Sequence, residues 1–393
     1  MLGRGKLTEE PVALRVRVEA APPYRVTSLA LARPGPAAGA GRCDGRPTDA
    51  EAVAEIDRYV RRLADADAFS GVVLVARGGR PLLLRACGEA NRDFGVPNRP
   101  CTRFNLGSIT KTFTAVAVLQ LAEPGRLSLD DPLAKFLADV PDPESAKKIT
   151  VRQLLTHTSG LGDHTHAMAR DPFRTRYRTV GRMAELVRGV PPVFQPGSRW
   201  RYSNSGFLVL GAAVEKAGGR DYYDYVRDNV FARAGMADTD FFDLDAVNGP
   251  LAVGYEKEFR GGRRRWRSNA FDLFVRGGPE GGAYSTAEDL LRFAEALRGG
   301  RLLGPGMTRE ALSAKPQWGS DGYGYGFEVE EGGRVVGHGG SFVGAHTKLD
   351  LLPGGWTAVV LSNTGGAARP VVWKVRSLLL AGTRAGDVGP GEE

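Results

Sequence analysis

The sequence predicts a mixed α/β (α+β) fold, in which strands from both ends of the chain build one antiparallel sheet around an inserted, mostly helical region. Three observations predict it. Strand-like apolar runs occur early, at 71–76 and 81–87. They return only after Tyr325, at 325–330, 334–338, 345–352 and 356–362, separated by Gly-rich turns. Between them, from Ser108 to about Leu297, the pattern is helical with long loops. With 393 residues, 42% of them hydrophobic and 25% charged, the chain can bury a sizeable core.

Taken in order, residues 1–47 stand apart as an N-terminal extension. Val12–Val18 alternates like a strand, Pro22-Pro23 turns it, Val26–Leu31 returns, and 34–41 is a Pro/Gly/Ala linker. Thr48 with Glu51 is a capping-box signature, and Val53, Ile56, Val60 and Leu63 mark one face of the helix that follows. Gly78-Gly79 joins two apolar runs into a buried hairpin. Thr112–Leu121 is apolar nearly all round, the pattern of a buried helix. A second helix spans Phe207–Ala217, and one near Pro370–Leu380 closes the domain. These boundaries give one unit over 48–381, with its sheet part from 48–106 and 300–381, its helical part from 107–299, and a flexible tail at 382–393.

Charge and cysteine content narrow the function. The net charge of +8 is arginine-heavy, and its densest cluster, Arg263-Arg264-Arg265-Trp266-Arg267 after Gly261-Gly262, reads as a solvated loop. Nucleic-acid binding would want more such patches along one face, so no nucleic-acid partner is expected. Cys43, Cys87 and Cys101 are odd in number and lack metal spacing. No 18-residue apolar run and no signal-peptide core occur, so no membrane segment and a cytoplasmic setting are expected, with export after loss of a leader as the alternative.

The chemistry concentrates at Ser108 and Lys111. A hydroxyl and an amine three residues apart lie one helical turn apart on one face. Serine is a poor nucleophile until a base takes its proton, and a desolvated lysine with a lowered pKa can be that base. At a helix start, unpaired N–H groups also favour negative charge. A chain this long contains roughly one or two such pairs by chance, so the pair needs company.

Two segments supply it. Tyr202-Ser203-Asn204 sits in a loop rich in Pro, Gly, Ser and Asn, and a phenol near an ammonium can have its pKa lowered enough to shuttle protons. Gly337-His338-Gly339-Gly340-Ser341 lies between two strand-like runs, where glycines permit close approach of a ligand or another backbone. A competing cluster, His157, Asp163, His164 and His166, has metal-ligand residue types, but no distal carboxylate or supporting shell completes it, and no metal or other cofactor is expected. His157 reads better as pinning a turn. No G-x-S-x-G nucleophile elbow occurs.

In this order the three segments resemble the S-x-x-K, Y-x-N and K-T-G set of the serine β-lactamase and penicillin-binding-protein superfamily, in the Tyr version of its class C branch. Leu127–Pro132 and Ile149–Leu161 are phrases similar to that branch, and the resemblance covers roughly 49–381. It implies a five-stranded antiparallel sheet flanked by helices, with the cleft beside an inserted helical domain. It further implies Ser108 as the acylated nucleophile, Lys111 as its base and Tyr202 as the proton relay. Asn204 would hold the acyl-side carbonyl, and the N–H groups of Ser108 and Ser341, on the Gly340-Ser341 strand edge, would form an oxyanion hole.

His338 and Gly339 stand where the family keeps Lys and Thr. His338 is therefore expected in a catalytic position, but anion binding should be weaker, because a histidine is only partly charged at neutral pH. The implied activity is that of an esterase or a D-amino-acid peptidase or amidase on a small ester, amide or peptide, rather than an efficient β-lactamase. Acyl transfer, or a sensor that acylates without turnover, are the alternatives.

Overall fold

The computed structural model describes residues 47–165 and 174–381, together with 7–9 and the backbone of three N-terminal strands. Those strands, Leu2–Arg4, Pro11–Val18 and Val26–Ala32, form a separate antiparallel sheet, so the expected hairpin gains one more strand. The expected linker and the tail at 382–393 lie outside the described residues.

The central sheet has six strands, numbered here along the chain: β1 (Gly71–Arg77), β2 (Arg80–Cys87), β3 (Glu328–Glu330), β4 (Val335–Phe342), β5 (Ala345–Leu352) and β6 (Trp356–Ser362). Their order is β3-β4-β5-β6-β1-β2, and every neighbouring pair is antiparallel. This is one strand more than the resemblance implies: the apolar run at 325–330 does form a strand, shortened to the three-residue edge strand β3. The third motif is not a link between strands but the body of β4. That difference is physical: its glycines still offer a full backbone ladder to β5, from Val336 opposite Leu351 to Phe342 opposite Ala345.

Both faces of the sheet are covered, which explains why β1 and β6 are near-continuous apolar runs. Side chains alternate along a strand. On β1, Val73 and Val75 join Ile56, Tyr59 and Leu63 of α1 (Asp49–Asp65) and Val371 and Val375 of the C-terminal helix Ala368–Leu379. Val72, Leu74 and Ala76 face the other way, into the core shared with the helical region. The capping box at the start of α1 forms as read: Glu51 N donates to Thr48 Oγ1 at 3.3 Å, and Thr48 N donates back to Glu51 Oε2 at 2.8 Å.

At the centre lies α2 (Thr110–Ala122), buried on nearly every side, with Phe113 meeting Phe231 and Phe293 edge-on at 5.1 and 4.9 Å. Against it packs α3 (Asn204–Gly218). The arginine cluster is not a loop. It is one strand, Arg263–Ser268, of a hairpin with Tyr255–Arg260, turned by Gly261 and Gly262 at φ +59° and +73°. A Gly-Gly pair with positive φ at both positions joins strands instead of ending them. Trp266 adds a second reason, because its ring is clamped between the cations of Arg92 at 3.8 Å and Lys257 at 4.7 Å. The segment between the two sheet parts is thus helical with a hairpin set into it.

Candidate active site

The turn that carries Ser108 is held from both sides. Phe104–Asn105 pairs with Tyr284–Ser285, and Leu106 N donates to Ala283 O at 2.8 Å. Gly107 adopts φ +53°, and a β-carbon there would come within 3.0 Å of Ser341 N. Only glycine accepts both the conformation and that contact. The next residues form a single 3-10 turn, Gly107–Ile109, that feeds α2, so Ser108 precedes the helix by two residues and Lys111 lies in its first turn.

Lys111 is fully buried, and its Nζ lies 3.1 Å from Ser108 Oγ and 2.8 Å from Asn204 Oδ1, with a further close contact to the Glu280 carbonyl. Burial pulls its pKa down from 10.5 to about 7, against the opposing charges of Glu280, Asp163 and Glu328. As an ammonium it donates to all three oxygens; as the neutral amine it keeps two donors, for Asn204 and Glu280, and can turn its lone pair to the Ser108 hydroxyl.

Tyr202 and Asn204 arrive from the start of α3, where Ser203 caps the helix by accepting from Gly206 N at 3.2 Å. Asp163 fixes Asn204 by accepting from its backbone N and its Nδ2, both at 3.0 Å. Hydrogen bonds from Thr165 and Asn204 hold the Asp163 carboxyl below its usual range although burial pushes it up. Asn204 therefore orients the amine of Lys111 and keeps one Nδ2 hydrogen for a ligand. Asp163 and Glu280 are contributors that sequence reasoning missed in this role. Asp163 was grouped with metal-ligand types, and a backbone carbonyl such as that of Glu280 leaves no side-chain signal.

His157 does pin a turn. It holds φ +59°, its carbonyl accepts from Arg201 N at 2.9 Å, and its Nδ1 accepts from Ser203 N at 3.2 Å. Its ring stacks on Tyr202 at 4.3 Å between centroids, and burial pushes its pKa well down, so it is a neutral plate. The other members of the expected cluster go elsewhere: His164 meets Ser205, and His166 lies outside the described residues. The Tyr202 hydroxyl is buried and faces Ser108 without a full hydrogen bond; burial pushes its pKa up, Ser108 opposes, and the Glu328, Asp163 and Glu280 carboxylates add to the rise. This reverses the expected lowering. Desolvation together with the surrounding carboxylates outweighs the single opposing contact, and the phenol rests protonated.

The third segment completes the wall. Gly340 has no room for a side chain, since a β-carbon would fall 1.9 Å from Leu106 O and 2.3 Å from Thr347 Oγ1. It brings β4 against the nucleophile turn, and Ser341 N follows it. His338 is buried, with Nε2 2.8 Å from Tyr323 Oη and Nδ1 2.6 Å from Gly339 O. Burial pushes its pKa down to about 4, the Glu328 carboxylate opposing, so it is neutral at physiological pH. The fixed ammonium of a K-T-G strand has no counterpart here.

These groups line a cavity of about 450 Å³ that includes Ser108, Tyr202, Asn204, His338 and Ser341, with an apolar wall from Leu244, Leu273, Phe274 and Phe342. Every residue expected at the site reaches it except Lys111, which stands behind it, in contact with Ser108 and Asn204. No helix among the described residues is long and apolar enough to cross a membrane.

Known proteins share this fold. The family model described as Beta-lactamase matches residues 56–381. Esterase EstB of Burkholderia gladioli is 33% identical over 281 residues, which is 62% of this chain and 68% of that protein. The crystal structure of a penicillin binding protein from Bacillus halodurans superposes with a TM-score of 0.73 at 32% identity, covering 81% of this chain and 98% of that one. A D-stereospecific amidohydrolase from Streptomyces gives a TM-score of 0.67 at 29% identity, covering 84% and 99%. The chain spans 66% of the length of the curated penicillin-binding relatives from Bacillus subtilis that it matches. With its family model spanning most of the chain and the fold shared with these relatives, this chain belongs to the β-lactamase family.

Proposed function

We propose that this chain is a serine hydrolase that forms an acyl-enzyme on Ser108 and acts on small esters or D-amino-acid amides and peptides in preference to β-lactams. One observation carries the reading: a buried amine, its pKa pulled down to about 7, with Nζ 3.1 Å from Ser108 Oγ and held there by Asn204 and the Glu280 carbonyl. Lys111 takes the Ser108 proton as Oγ attacks the substrate carbonyl, and the developing oxyanion meets the N–H groups of Ser108 and Ser341. The protonated Tyr202 gives its proton to the leaving amine or alcohol and recovers one from the Lys111 ammonium. Water then enters, loses a proton by the same route and releases the acid, which restores Ser108 and neutral Lys111.

The preference against β-lactams rests on the neutral His338, on Gly339, and on a cavity lining that holds no Lys or Arg among the described residues. The names of the esterase and amidohydrolase relatives support the ester and amide classes.

Mass spectrometry after exposure to activated esters, D-amino-acid amides and penicillins tests the reading. Wild-type protein should carry a single acyl adduct on Ser108, and Ser108→Ala should carry none while keeping its fold. An adduct elsewhere, or a penicillin adduct formed faster than the ester adduct, overturns it.

A further inference from the structure

Behind the third segment lies a set of charges that the hydrolytic cycle does not use. Glu328 and Glu330 of β3, Lys348 and Asp350 of β5, and Arg376 of the C-terminal helix meet in one cluster. Lys348 Nζ lies 2.5 Å from Glu328 Oε2 and from Glu330 Oε1, and 3.7 Å from Asp350. Arg376 reaches Glu330 and Asp350, each at 2.7 Å. Three carboxylates thus face two cations, and Glu328 is the member of this net negative set that lines the cavity.

The free valence is specific. Glu328 Oε2 accepts from Gly339 N at 3.0 Å and from Lys348, whereas Oε1 makes no hydrogen bond among the described residues. His338 Nδ1 lies 3.8 Å from Oε1, too far for a hydrogen bond, and is 2.6 Å from Gly339 O. The Glu328 side chain is 29% exposed. A β-carbon at Gly339 would sit 3.7 Å from both of its oxygens, so the glycine leaves the carboxylate uncovered. A second carboxylate, Glu280, also lines the cavity, while the amine of Lys111 behind it is committed to Ser108 and Asn204.

We propose that Glu328, uncovered by Gly339, is a specificity residue that receives a cationic amine of the substrate and rejects a carboxylate at the same place. This deepens the proposed hydrolase reading and rests on it. A charge-assisted contact to a partly exposed carboxylate favours an ammonium over a neutral group, and a like charge there is penalised.

Two matched series test it, with charge placed in turn on each side of the scissile bond. The acyl series is the p-nitrophenyl esters of D-alanine, N-acetyl-D-alanine and N-succinyl-D-alanine. The leaving-group series is S-acetylthiocholine, S-acetyl-mercaptoethanol and S-acetyl-mercaptopropionate. In at least one series kcat/KM should run cation, neutral, anion, with roughly tenfold or more between the ends. Glu328→Gln should compress that ratio to within about threefold, and Gly339→Ala, whose β-carbon fits at ordinary contact distance but covers the carboxylate, should compress it partly.

The wild-type ordering and the Gly339 variant keep the test decisive if Glu328→Gln does not fold. No ordering by charge in either series, or an ordering unchanged by both substitutions, overturns the inference while leaving turnover of the neutral donors, and with it the hydrolase reading, intact. Failure to turn over the neutral donors overturns both.

Discussion

Replacing the Glu280 carboxyl by an amide gives a test of sign as well as size. The drop of the Lys111 pKa from 10.5 to about 7 corresponds to about 5 kcal/mol of preference for the neutral amine. Burial drives it, and the Glu280 carboxylate is first among the charges that resist it. Glu280→Gln removes that resistance while leaving the Glu280 carbonyl, which Lys111 contacts, in place. One Glu280 oxygen lacks a hydrogen-bond partner and the other lies 3.6 Å from His164 Nε2, so the amide breaks no hydrogen bond that the carboxylate makes.

With an effective dielectric near 20, a unit charge within about 10 Å is worth roughly 1.7 kcal/mol or more, so losing it should lower the Lys111 pKa by about 1–2. The assay is kcat/KM for a neutral p-nitrophenyl ester between pH 5 and 9. Wild type should lose about tenfold per pH unit below a midpoint near 7, and the variant should keep that slope with its midpoint moved to lower pH. A midpoint moved upward, or an acid limb absent near 7, would refute Lys111 as the base. Stability follows with the same sign. The folded Lys111 binds fewer protons than the unfolded one between pH 7 and 10.5, so this contribution grows as pH rises through that window and is lost as pH falls towards 7.

Tyr202→Phe removes only the hydroxyl, which has no hydrogen-bond partner, so turnover should fall roughly 10²–10⁴-fold with little change in Tm. A variant keeping more than about a tenth of the rate would place the relay elsewhere. Gly340→Ala forces a methyl to 1.9 Å from Leu106 O, which should cost at least about 1–3 kcal/mol and lower Tm by several degrees. Because β4 must then move off the nucleophile turn, acylation should slow as well. Unchanged Tm by calorimetry would show that the approach is looser than described.

Much of this protein was legible before any coordinates, because its signals are local. The capping box at Thr48, the alternation along Gly71–Arg77 and the all-round apolar pattern of α2 each depend on residues within one or two turns or along one strand. The spacing of Ser108 and Lys111 belongs to the same class, since one helical turn suffices to join them. What could not be read is decided by burial and by pairing across long stretches of chain. Whether Tyr202 is raised or lowered depends on how much water the fold removes, and desolvation is a property of the assembled interior, not of neighbours in sequence. Gly261-Gly262 looks the same whether it ends structure or turns a hairpin, and Trp266 settles the matter only by reaching Arg92. The carboxylate of Glu328 beside Gly339 is likewise a product of the pairing of β3 with β4, which places an acidic edge strand where the sequence shows only a glycine. Local pattern therefore determined the order of strands and helices and the candidate pair Ser108 and Lys111, while tertiary packing decided the protonation states and the charge that a substrate would meet.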